Sequence, residues 1–168
     1  MIGTVTRAST LFLISKINKI GLNRSNILLQ LQLSSTTNNI KLRILVVDDE
    51  PDILLAISSV LASRGHYVKT FNRAILVFEH LQNEAPQYDL LITDYRMPGG
   101  ISGLELAKTV KKYARKTKVF LMTAFDISAL PEVSDVLESK IVDEILQKPI
   151  PNDKLIELVE KSFLHNNH

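Results

Sequence analysis

Short, almost unbroken apolar runs alternate along the chain with longer stretches in which apolar residues recur every three or four positions. The first run, Arg43–Val47, reads as a strand and is followed by Ile53, Leu54, Ile57, Val60 and Leu61 at helical spacing. Pro51 suits the first turn of that helix, and Gly65 marks its end. The pattern then repeats. Tyr67–Phe71 predicts a second strand, followed by a helix carrying Ile75, Leu76, Phe78, Glu79 and Leu81. Leu90–Thr93 predicts a third, with a helix over Gly103–Tyr113 whose inner face is Leu104, Leu106, Ala107 and Val110. Val119–Met122 and Val142–Leu146 predict strands four and five, and Asp153–Leu164 the last helix. Apolar strands alternating with amphipathic helices imply an α/β fold, a parallel sheet covered on both faces.

What stands at the strand ends carries the chemistry. The first strand runs into Asp48, Asp49 and Glu50, the third into Asp94, the fourth into Thr123 and the fifth toward Lys148-Pro149. Parallel strands point one way, so these carboxyl ends converge at the sheet edge where open α/β sheets bind ligands. Clustered carboxylates repel unless a cation neutralises them, and Mg²⁺ prefers hard oxygen ligands. A metal-dependent site is one reading of the acids; a helix N-terminus enriched in acids is the other.

The four residues or pairs in this order, with Met97-Pro98 after Asp94 and Ala124 after Thr123, resemble the receiver domain of two-component response regulators, from about Leu42 to Leu164. The resemblance implies a doubly wound, five-stranded parallel sheet of flavodoxin-like (CheY-like) order 2-1-3-4-5. It implies that Asp94 is the phosphoacceptor, fed by a histidine kinase or phosphotransfer protein. It implies Mg²⁺ bound by Asp49, Asp94 and the backbone carbonyl of Arg96, with Asp48 acting largely through water. Lys148 is expected to pair with a phosphoryl oxygen and Thr123 to donate a hydrogen bond to another, with Lys148-Pro149 a cis peptide. The bland alternatives are an ordinary surface ion pair for Lys148 and ordinary strand packing for Thr123.

Three positions depart from the family's pattern. Ile145 stands three before Lys148, where an aromatic usually rotates on activation. The loop Met97–Gly103 is one residue longer than usual, and Asp126–Ile141, containing Pro131, is long for the fourth helix and its flanks. Phe125 and Arg96, two residues beyond Thr123 and Asp94, are expected to flank the approach of hydrolytic water and slow loss of the phosphoryl group.

Composition narrows the alternatives. Cysteine is absent, which removes disulfides, zinc–thiolate sites and cysteine nucleophiles. His66, His80, His165 and His168 lack metal-ligand spacing and read as surface residues. No acid precedes Asp48, whereas Arg7, Lys16, Lys19, Arg24, Lys41 and Arg43 do. The remainder is mildly acidic, so no direct nucleic-acid binding is expected. The basic stretch Lys108, Lys111, Lys112, Arg115, Lys116 and Lys118 reads as a solvated helix terminus.

Residues 1–41 form a basic extension, read as poorly ordered or a short helix, with a composition like that of a transit peptide. Residues 42–164 are the receiver and 165–168 a polar tail. No run is long enough for a membrane span, and a cytoplasmic location is expected.

The functional expectation is a stand-alone, self-phosphorylating switch rather than an enzyme. It would signal by binding an unidentified downstream protein, with a phosphorylation-dependent dimer as a further expectation. The alternative is a phosphorylation-independent receiver-like interaction module. A Mg²⁺-dependent phosphatase with an aspartyl nucleophile usually carries Asp-x-Asp on one strand, a spacing that Asp48-Asp49 lacks.

Overall fold

The computed structural model describes residues 40–84, 87–125 and 137–164. Along the chain it contains β1 (Arg43–Val47), α1 (Pro51–Ser63), β2 (Tyr67–Phe71), α2 (Ala74–Glu84) and β3 (Leu90–Asp94). There follow α3 (Gly103–Tyr113), β4 (Lys118–Thr123), β5 (Glu144–Gln147) and α4 (Asn152–Leu164). All the strand pairs are parallel, in the order β2-β1-β3-β4-β5. This is the doubly wound order 2-1-3-4-5. The expectations for residues 1–39, for 126–136 and for the tail 165–168 lie outside the described residues.

Central strands buried on both faces explain the unbroken apolar runs. Leu45, Val47, Leu91, Val119 and Leu121 join Val77 of α2 and Ala107 and Val110 of α3 in one apolar cluster. The intervening Ile44, Val46, Ile92, Phe120 and Met122 are equally buried and point to the opposite face, since side chains alternate along a strand. On that side α1 packs against α4, with Ile57, Leu61, Leu155 and Val159 inward. Each such side chain, fully buried, contributes about 1.5–3 kcal/mol.

β5 begins two residues later than the apolar pattern predicts. Val142 is buried but lies before the ladder, where Asp143 donates its amide to Val119 O at 2.8 Å and accepts the Val119 amide at 2.8 Å. Two histidines also differ from expectation. His66 is half-buried and its Nδ1 accepts the Leu42 amide at 3.3 Å. His80 is half-buried as well, with Nε2 2.8 Å from the Tyr88 hydroxyl.

The long β3–α3 loop is held at both ends. Tyr95 donates its amide to Met122 O at 2.7 Å, and Gly103 donates to Tyr95 O at 3.0 Å. Between them Gly99 (φ +102°) and Gly100 (φ +81°) both take the left-handed conformation, which glycine adopts at little cost. A capping box of Ser102 and Glu105 then starts α3, and the Ser102 amide and hydroxyl hold the Glu105 carboxyl below its usual pKa. A Cβ on Gly103 would overlap the Asp94 carbonyl oxygen. The first residue of α3 therefore abuts the last residue of β3.

Candidate functional site

Register brings the strand ends together. Val47 pairs with Thr93 across β1 and β3, so Asp48 and Asp94 emerge side by side where the chain winds off in opposite directions. Thr123 pairs with Gln147 across β4 and β5, so Lys148 is the next residue out on the same edge. The Lys148 amide donates to Thr123 O at 2.7 Å, and the Lys148–Pro149 peptide is cis.

Lys148 Nζ lies 2.7 Å from Asp48 Oδ2, 2.7 Å from Asp94 Oδ1 and 3.4 Å from Glu50 Oε1. The other carboxylate oxygens are occupied too. Asp48 Oδ1 accepts the Glu50 amide at 2.9 Å, and Asp94 Oδ2 accepts the Arg96 amide at 2.8 Å. Asp48 is wholly buried, at 0% exposure. Burial pushes its carboxyl pKa up, an effect that the Lys148 ammonium and the Glu50 amide partly offset. Burial alone would lower the Lys148 pKa, but hydrogen bonds and charge from Asp48 and Asp94 outweigh it and hold the ammonium above its usual range. Lys148 is therefore a fixed positive charge between two acids.

The remaining candidates lie on the strand ends and the loops that leave them. Asp49 is exposed, next to Asp48 in the chain. Thr123 is buried, and its Oγ1 accepts the Phe125 amide at 3.0 Å, which leaves the hydroxyl proton available to donate. The Arg96 guanidinium carbon sits 4.3 Å from the centroid of the Phe125 ring, a cation–π contact. Ile145 is half-buried and packs against the main apolar cluster. Glu50 had no assigned role in the sequence reading. Its position two residues after Asp48, on the turn that leaves β1, is the signal that could have found it.

The donors suit a hard divalent cation. Asp48, Asp49 and Asp94 bring three negative charges against the single positive charge of Lys148, and carboxylate with peptide oxygen is the ligand chemistry of Mg²⁺. Among the described residues, no three acidic or histidine side chains are gathered closely enough to hold a metal. The reason is local: the Lys148 ammonium fills the gap between Asp48 and Asp94, and Asp49 faces solvent. A cation taking the oxygens of both Asp48 and Asp94 that hold Lys148 would have to displace the ammonium.

Residues 44–160 match the family model of the response regulator receiver domain. The chain is 34% identical over 120 residues to the DNA-binding transcriptional regulator NtrC of Escherichia coli K12, covering 71% of this chain and 24% of NtrC. It thus spans about a quarter of that relative's length. It is 26% identical over 121 residues to the sporulation initiation phosphotransferase F of Bacillus subtilis, covering 71% of this chain and 91% of that one. Among solved structures, response regulator TrrA of Thermotoga maritima in complex with Mg²⁺–BeF superposes with a TM-score of 0.59 at 35% identity. That superposition covers 73% of this chain and 98% of TrrA. No helix among the described residues is long and apolar enough to cross a membrane.

Proposed function

Because the chain belongs to the response regulator receiver family, we propose that it accepts a phosphoryl group on Asp94 and signals by binding a partner protein. An Asp94 carboxylate oxygen attacks the phosphorus of a phosphohistidine on a histidine kinase or phosphotransfer protein. The new O–P bond forms as the donor's P–N bond breaks, and the electron pair leaves with the imidazole. The observation that carries this reading is the meeting of Asp48, Asp94 and Lys148 at the switch point of the sheet.

Asp49, Asp94 and the carbonyl of Arg96 would hold Mg²⁺, with Asp48 acting through water. The ion supplies neutralisation of the carboxylates and the incoming phosphoryl oxygens. Lys148 pairs with one phosphoryl oxygen as a point charge, and the Thr123 hydroxyl donates to another. The added negative charge and acceptor oxygens draw Thr123 inward, which changes the surface a partner meets. With Ile145 at the usual aromatic position, that change runs through other residues.

Intact mass after incubation with acetyl phosphate tests the proposal. Wild type is expected to gain one phosphoryl group only with Mg²⁺ present, and Asp94→Asn to gain none. A gain that persists in Asp94→Asn would place the acceptor elsewhere. No gain in wild type, with acetyl phosphate or a phosphorylated kinase, would favour the phosphorylation-independent module.

A further inference from the structure

Glu50 is the N-cap of α1, with φ −87° and ψ 111°, yet its side chain makes no capping hydrogen bond. Asp, Asn, Ser and Thr are the usual caps here, and the longer glutamate side chain is not held by the first turn. Here its Oε1 lies 3.4 Å from Lys148 Nζ, 98 residues away. Its own amide meanwhile donates to Asp48 Oδ1. Glu50 therefore touches both partners of the buried ion pair, through two different groups.

We infer that Glu50 is a positioning residue that retains the Lys148 ammonium at the pocket mouth while Asp48 and Asp94 turn to a divalent cation. This rests on the Mg²⁺-dependent reading above. The two oxygens that hold Lys148, Asp48 Oδ2 and Asp94 Oδ1, belong to carboxylates that such a cation would need. An incoming double charge repels an ammonium at contact distance, and the repulsion is strong where water is scarce.

The Lys148 side chain is 13% exposed, so solvent alone replaces its lost counter-ions poorly. Glu50 can replace them. Its side chain is 63% exposed, so it needs no desolvation to follow the ammonium outward. That same exposure makes it a weak stabiliser of the resting state. Its contribution falls in the exchange of one cation for the other.

Mg²⁺ titration followed by amide NMR shifts measures this directly. Glu50→Gln should weaken Mg²⁺ binding about tenfold, as removal of an outer partner of a metal site does. Glu50→Asp keeps the charge but shortens the reach to Lys148, and it should lose affinity as well. In a Lys148→Ala background, Glu50→Gln should change affinity by less than about twofold, the limit of independent effects. With acetyl phosphate, Glu50→Gln should raise the Mg²⁺ concentration for half-maximal phosphorylation rather than lower the maximal rate. Wild-type affinity in Glu50→Asp, or an equal loss in both backgrounds, overturns the inference and leaves Glu50 an ordinary surface charge. A wild type that takes up phosphoryl without any Mg²⁺ response overturns both this inference and the metal-dependent reading on which it rests.

Discussion

His66 shows how a single side chain ties pH to stability. Burial, with help from the Arg64 charge and against that of Glu160, lowers its pKa below the usual 6.5. Its neutral Nδ1 accepts the Leu42 amide, a bond that protonation removes. The unfolded state then takes up the proton first as pH falls. The stability that neutral His66 secures is present above about 6.5 and is lost as pH falls through the lower folded-state value. Unfolding free energies of wild type and His66→Gln between pH 7.5 and 5 should diverge below pH 6.5, with wild type losing more; parallel curves would refute this. Nothing local in the sequence marked His66 or His80, because their partners lie 24 and 8 residues away. Asp48, Asp94, Thr123 and Lys148 were legible, because each directly ends or follows an apolar run. Glu50 was not, because an acid before Pro51 reads as a cap.

The loops after β3 and β4 meet through Arg96 and Phe125. Phe125 is 42% exposed, and its amide holds the Thr123 hydroxyl, so the stacked pair sits beside the phosphoryl position proposed above. A cation–π contact at an exposed site contributes about 0.5–1 kcal/mol. If that energy resists entry of hydrolytic water, its loss speeds hydrolysis about two- to fivefold. Replacing both Arg96 and Phe125 with serine should therefore shorten the phosphorylated lifetime by that factor, and an unchanged decay rate would sink the idea. Elements with strong periodicity, such as β1, β2 and α3, were legible to the residue. β5 was not, because Val142 is buried by a loop whose Asp143 ties it to β4, and an apolar residue looks the same in either setting. The left-handed backbone of Gly99 and Gly100 was not legible, because a glycine in a loop does not fix the sign of its own φ.

At the scale of the whole molecule, the proposed metal would link binding to the stability of the fold. A cation that binds the folded site and not the unfolded chain stabilises by about 1.4 kcal/mol at ten times its dissociation constant. For a domain of this size that amounts to a rise of about 5 °C in Tm. Calorimetry in Mg²⁺ and in EDTA should show this rise in wild type and a smaller one in Asp94→Asn. Equal midpoints in Mg²⁺ and EDTA would count against a resident cation. The Lys148–Asp48 pair has one further consequence, for how the chain is made. Its partners stand 100 residues apart, so it closes nearly the largest loop the domain contains. Contacts of such separation form late, after the entropy of closing the loop has been met. A chain still emerging from the ribosome with β1 to β4 in hand holds its acids without their ammonium. On the proposed reading, competence for signalling arrives with the last strand, and a kinase meets a working acceptor only once Lys148 has joined its acids.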